Sequence, residues 1–398
     1  MKDPAGDEAP GPQSSSRTSG LARKHIAGVW LGCLMTVVYA CSAPLPTTCS
    51  PLEWDVSWYP AGYRFAFTIV HDADNAYSTR LAPLFEVFDE LGLKITVTLF
   101  AFWPDWAKNG AVWSKWRAAG NVETAFRAPQ AVPLVDQTER SFYRTLAARG
   151  HEIGLHSASE SSDTRAATIR AFEYFKEVFG YYPAVYVEHS SRNNREAQIN
   201  EGSDARSIYY NTDLLNRYGP WVWVDGPGAL PDPRRKFYDL VASNGTPFSQ
   251  WAAGRFGISK AFIRSGRWDK ADGSGFLEVY STQNLDALER DRGLALVYTH
   301  LDSKWLDPET RRMHGAIEDR LRYLAAKKGW FAPAGTILDR VQAVSAVRLI
   351  CTANSIKITN GSARRIEQLE VASHGRMPKA IVIDSIGPSE TKSIVLPE

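Results

Sequence analysis

From Tyr63 onward, short apolar runs rich in β-branched and aromatic residues alternate with amphipathic stretches at helical spacing. That alternation restricts the chain to parallel strands joined by helical crossovers, an α/β fold. Residues 65–71 read as a first strand, 81–91 as a helix and 94–102 as a second strand, followed by a Trp-rich insertion over 103–133. A helix over 137–149 leads into a strand over 151–156, a helix over 164–179 into a strand over 184–189, and further strands are expected over 221–224, 276–280 and 294–300. Two helices follow, over 308–328 with Asp307 as N-cap and over 336–344. The texture then changes to short β runs over 347–352, 355–359, 366–371, 380–383 and 393–396, with turn residues such as Asn360-Gly361 between them. At 398 residues the chain exceeds the usual size of one domain. The expected organisation is a large α/β domain over 60–345 and a small β-sandwich-like domain over 346–398.

Parallel-strand barrels collect their reactive groups at the C-terminal ends of the strands, and polar residues cluster at those ends here. The first strand runs into His71-Asp72-Ala73-Asp74, the third into His156-Ser157-Ala158-Ser159-Glu160, the next into Glu188-His189-Ser190-Ser191-Arg192, and the last into Tyr298-Thr299-His300. Any one of these has an ordinary reading as a cap, a turn or a hydrogen-bonded histidine. Four at the same end of successive strands make a set of carboxylates and imidazoles suited to zinc or a similar divalent metal, with one coordination position left for water.

At these residues the chain resembles the polysaccharide deacetylase family, the NodB-homology or carbohydrate esterase family 4 fold. Residues 149–157, Arg-Gly-His-Glu-Ile-Gly-Leu-His-Ser, match the approach to that family's second motif; residues 294–300 look like its last motif, and the His-Asp-x-Asp form around Asp72 is like that of divergent branches. The resemblance covers about residues 60–340. It implies an incomplete (β/α) barrel with Asp72 as catalytic base, His300 as catalytic acid, and Asp74 and His156 as metal ligands. Two departures stand out: Glu160 occupies the place of the family's second metal histidine, and no Arg-Pro motif follows the strand ending at His189. Glu160 or His189 is then the third ligand, with Glu160 preferred, and Arg192 is a candidate to orient Asp72 or bind substrate. Trp103, Trp106, Trp221 and Trp223 are candidates to line a sugar-binding cleft, with core packing as the alternative. The activity implied is removal of acetyl groups from a polysaccharide by a divalent metal, most simply Zn2+. The alternatives are a carbohydrate-binding surface protein on the same fold and a barrel hydrolase of a non-sugar amide.

The formal charge of +2 and the lack of a long Lys/Arg block give no basis for a nucleic-acid partner. Residues 1–25 form an extension without apolar periodicity, expected to be disordered. Residues 26–43 read as a signal peptide or lipoprotein signal: Arg23 and Lys24 precede an apolar run ending at Ala40-Cys41 that is short for a membrane span. Export is expected, to the periplasm, cell envelope or exterior, with membrane attachment through a lipid on Cys41 or an uncleaved anchor as open options. Of the four cysteines, Cys33 and Cys41 belong to this signal, leaving Cys49 and Cys351 either bridged or as separate thiols.

Overall fold

The computed structural model describes residues 54–72, 74, 77–104, 132–189, 194–224, 256–263, 265, 273–301, 305–307, 309–352, 354–373 and 379–396. The expectations for the extension, the signal, Cys33, Cys41, Cys49, Trp106, Arg192 and most of the insertion lie outside these residues. Strand β2 (Phe65–His71) is buried at every position. It lacks polar alternation because it sits inside a parallel sheet covered on both faces. The sheet order is β7 (Ala261–Phe262), β6 (Trp221–Trp223), β5 (Val185–Val187), β4 (Glu152–His156), β3 (Thr96–Leu99), β2 and β8 (Leu294–Thr299), with β9 (Gly329–Trp330) paired to the start of β2. Each of these pairs is parallel. The sheet curls until its edges meet: Ser265, just past β7, donates its backbone N–H to Leu296 O at 2.9 Å and accepts Leu296 N on its hydroxyl at 2.7 Å. This is an incomplete (β/α) barrel, with its open seam bridged by one serine.

The crossover helices form where the periodicity places them, and local chemistry sets their ends. Helix α1 (Ser78–Glu90) buries Leu81, Leu84, Phe85 and Phe88, a spacing that forms one face. Helix α2 (Gln137–Ala148) starts at Asp136, whose carboxylate accepts from Thr138 N and Glu139 N. Helix α3 (Arg165–Phe179) is capped by the Thr164 hydroxyl and stopped by Gly180 at φ 84°, a left-handed turn that glycine adopts without a Cβ penalty. A short helix, α4 (Thr212–Tyr218), precedes β6.

Several elements differ from the sequence expectation. Residues 276–280, expected as a strand, belong to helix α5 (Gly273–Val279) and the residue after it. Phe276 and Tyr280 stand four apart and both meet Phe67 edge-on, so tertiary packing overrides the β preference of Phe, Val and Tyr. Helix α6 (Thr282–Arg290) follows at once, capped by Ser281. The helix expected from 308 begins later, as α7 (Gly315–Ala325): Asp307 accepts from Glu309 N and Thr310 N, capping a turn that the Leu306–Met313 bridge closes. A further strand, β1 (Trp54–Pro60), precedes the barrel.

Beyond α8 (Ala334–Ser345) lie two antiparallel three-stranded sheets. One is β10 (Val347–Cys351), β11 (Ser355–Asn360) and β14 (Thr391–Val395); the other is β1, β12 (Ile366–Ser373) and β13 (Ala380–Ile386). Their inner faces share Leu349, Ile356, Ile358, Ile366, Leu369, Val371, Ile383 and Ile386. Asn360 does more than turn the chain: fully buried, it donates to Arg364 O, Ile386 O and Gly387 O, tying β11 to the end of β13. Helix α8 serves both cores, with Ile337, Leu338 and Val341 against the barrel and Ala343 and Val344 against the sandwich. Cys351 is disulfide-bonded.

Strand β1 thus completes a sheet whose other strands come from the far end of the sequence, with Trp54 opposite Ser373 and Val56 opposite Val371. A chain ending at Ser345 would leave β1 unpaired and expose Ala343, Val344, Trp54 and Val56 to water, at about 1.5–3 kcal/mol for each large side chain that had been fully buried. Such a chain is expected to aggregate. Size-exclusion chromatography giving a monomer with native circular dichroism would overturn that expectation.

Candidate metal centre

The sheet register brings the polar strand ends together. β2 pairs with β8 so that His71 lies opposite Thr299, and Asp72 N donates to Thr299 O at 3.0 Å, which sets Asp72 beside His300. β4 pairs with β5 so that His156 lies opposite Val187, which carries His189 just beyond the next strand end. Phe100, past β3, sits beneath both imidazoles, 4.9 Å from the His156 ring centre and 5.1 Å from that of His189. The turn after β4 is held by Ser157, which adopts φ 51° and accepts His189 N on its hydroxyl at 3.0 Å. A left-handed serine costs about 1–2 kcal/mol, and this one locks the two histidine-bearing turns to each other.

Two carboxylates and three imidazoles converge. His156 Nε2 lies 3.1 Å from Asp72 Oδ1 and 3.9 Å from Asp74 Oδ1; His189 Nε2 lies 3.4 Å from Asp74 Oδ1; His300 Nε2 lies 3.3 Å from Asp72 Oδ2 and 3.8 Å from Asp74 Oδ2. Two groupings have donor atoms within 4.8 Å of one another: Asp74, His156 and His189, and Asp72, Asp74 and His300.

The charges respond to this crowding. Burial alone would raise Asp72, but the charges of His156 and His300, with hydrogen bonds from His300 and Tyr298, hold it well below the usual carboxylate range. Asp74 is also lowered, against burial and the Asp72 charge, by His189 and His300. His156, fully buried, is pushed down by desolvation. Burial would lower His189 and His300 too, but the carboxylates win: His189 rises, and His300 rises to about 10. His71 is buried and pushed down to about 4, a neutral ring whose Nδ1 meets Thr299 O and Leu301 N.

A divalent cation fits the first grouping on the state of its atoms. Asp74 Oδ1 and both ring nitrogens of His156 are buried without a hydrogen-bond partner. A buried polar atom left unmade costs about 1–3 kcal/mol, more when charged. Coordination would satisfy Asp74 Oδ1 and His156 Nε2 together, with His189 Nε2 facing the same oxygen. Behind His189, the Asn194 amide donates to Ser161 O and Glu196 Oε1 and lies 3.2 Å from His189 Nδ1. Glu196 in turn accepts Asp163 N, and Asp163 accepts Ala158 N and Ser159 N, so a buried polar network runs beneath both histidine turns.

The residues singled out in the sequence separate into groups. Asp72, Asp74, His156, His189 and His300 come together, whereas Glu160, half-buried, joins neither grouping among the described residues, and its charge helps to raise His189. Trp223 is 5% exposed and stacks on Tyr298, Trp221 donates its indole N–H to Asp339, and Trp103 packs with Tyr77 and Val132. All three pack within the fold. Tyr298, Ser157, Phe100 and Asn194 were not singled out. For Tyr298 a signal exists: it stands two residues before His300 on one strand, which puts both side chains on the same face.

No protein-family model matches the chain, and no curated protein sequence matches it. Solved structures with a similar fold include a probable polysaccharide deacetylase from Pseudomonas aeruginosa PAO1, at 13% identity over 71% of this chain and 92% of that chain, TM-score 0.40. They also include a PuuE allantoinase, at 11% identity over 75% and 97%, TM-score 0.41. A third is the polysaccharide deacetylase Bc1974 from Bacillus cereus, at 13% identity over 68% and 91%, TM-score 0.32.

The geometry predicts how metal content responds to substitution. Asp74→Ala, His156→Ala and His189→Ala should each reduce a bound divalent ion to well below one per chain after dialysis, while Glu160→Ala should retain it. Elemental analysis distinguishes the ligand sets, and loss of metal in Glu160→Ala with retention in His189→Ala would reverse the choice.

Proposed function

We propose that this chain is a metal-dependent deacetylase that removes acetyl groups from an extracellular or cell-envelope polysaccharide. The observation that carries the reading is the convergence of Asp72, Asp74, His156, His189 and His300 at one end of a parallel barrel, with Asp74 Oδ1 and His156 Nε2 buried and unsatisfied. Asp74, His156 and His189 would hold the cation, most simply Zn2+, which when bound supplies Lewis-acid polarisation of an acetyl carbonyl and a lowered water pKa. Asp72 is ionised at neutral pH, as a proton acceptor must be, and takes the proton of the attacking water on its carboxylate. Hydrogen bonds from His300 and Tyr298 help to hold it in that ionised form. His300, kept protonated by Asp72 and Asp74 and partly open to solvent, donates to the departing amine or alcohol.

Export to an oxidising compartment belongs to the same proposal. It is supported by the apolar run that follows Arg23 and Lys24 and by the disulfide at Cys351, a bond that such compartments permit. The near-neutral charge suits an uncharged or weakly charged glycan.

Acetate release from a panel of acetylated glycans, measured in the apo protein and after zinc addition, tests the reading directly. Turnover should appear only with metal and vanish with chelator. Asp72→Asn and His300→Ala should each lose about 10²-fold or more in kcat while retaining fold and metal. Near-wild-type rates in either variant would remove that residue from the chemistry, and absence of acetate from every glycan would remove the deacetylase reading.

A further inference from the structure

The deacetylase reading leaves open what keeps Asp72 in place, since the barrel end lacks the Arg-Pro motif that the family resemblance would lead one to expect. Asp72 Oδ1 accepts Asp74 N at 3.0 Å and faces His156. Its other oxygen, Oδ2, accepts the phenolic O–H of Tyr298 and faces His300 Nε2 at 3.3 Å. Tyr298 is 6% exposed, and its ring stacks on Trp223 with centroids 4.2 Å apart and planes 18° from parallel. Trp223 comes from β6, across the barrel interior from β8, and is itself buried. A tyrosine has only two side-chain torsions that place its ring. With the ring clamped between sheet and indole, the direction of its hydroxyl is set before substrate arrives.

We propose that Tyr298 is the positioning residue for Asp72, with Trp223 as the platform that fixes Tyr298; the role in turnover rests on the reading of Asp72 as proton acceptor. The chemistry of the donor matters. A guanidinium would hold the carboxylate as well, but its charge would oppose a cation bound a few ångströms away. A phenol orients Asp72 with a neutral donor, leaving the two carboxylates free to attract the metal. With Asp74 N on Oδ1 and the phenol on Oδ2, both oxygens of the carboxylate are oriented before substrate arrives. His300, just past the end of β8, sits against the same oxygen, so one strand end supplies both the orienting donor and the proton donor.

Tyr298→Phe keeps the ring and the stack while deleting the hydrogen bond from the phenol to Asp72. Kinetics on an acetylated glycan and on 4-nitrophenyl acetate, with metal content measured in parallel, test the proposal. Tyr298→Phe should lose about 10- to 100-fold in kcat with KM changed by less than about twofold and metal content unchanged. Trp223→Leu should show a smaller loss of the same kind. In an Asp72→Asn background, Tyr298→Phe should cost nothing further, because the two act as one unit. A wild-type kcat in Tyr298→Phe, an undiminished loss in the Asp72→Asn background, or a loss explained by missing metal would each overturn the positioning role. If glycans are refused but 4-nitrophenyl acetate follows the expected pattern, the positioning role stands and the polysaccharide reading falls. If the metal-loaded wild type hydrolyses neither substrate, both fall.

Discussion

Two carboxylates two residues apart at the end of a fully buried strand are an electrostatic problem before they are a site. At an effective dielectric of about 20, a pair of like charges at contact distance repel by about 4 kcal/mol, and burial adds a desolvation cost. The residues around Asp72 and Asp74 act as the response. The carboxylates push His189 and His300 up, Tyr298 donates to Asp72, and the Asp74 backbone donates to the same carboxylate. The negative field behind those shifts is the field that would draw in a cation, so a proton on either imidazole would compete with it. Metal affinity at such a site is therefore coupled to proton release.

The curvature of the sheet makes this convergence possible. A flat sheet would spread the ends of β2, β4, β5 and β8 along a line, whereas curling brings β8 round until Leu296 meets Ser265 and Tyr298 meets Trp223 across the interior. Among the described residues, several of the aromatic side chains that make the chain look like a sugar binder serve this geometry. Trp223 supports Tyr298, Phe100 supports two histidines, and Trp221 ties β6 to α8 through Asp339.

Much of the barrel was legible because its strands are buried on both faces and announce themselves as apolar runs, four of which end abruptly in Asp, His or Glu. Residues 276–280 misled for the same reason: a short apolar run has no period of its own, and only contact with Phe67 decides it as helix. Which residue joins Asp74 and His156 in one grouping was not decidable along the sequence. Glu160 is four residues from His156 and His189 is thirty-three, but the lateral pairing of His156 with Val187 makes the distant residue the nearer donor. Tyr298 escaped notice because a tyrosine inside a buried strand reads as core, and the polar tip that reaches Asp72 has no signature without the neighbouring strand.

The pairing of β1 with β12 has a consequence for the order of events in folding. Gly62 N, just after β1, bonds to the Glu370 carboxylate at a sequence separation of 308, and such nonlocal closures are slow because the chain entropy between the partners is lost before any contact repays it. While the chain emerges from the ribosome or threads through a translocation pore, Trp54, Val56 and Trp58 have no sheet to join until residues near 373 arrive. Strand β1, made before the strands of the barrel, is among the last to be seated, so in the interval the nascent chain carries an aromatic-rich edge that holding factors would have to shield.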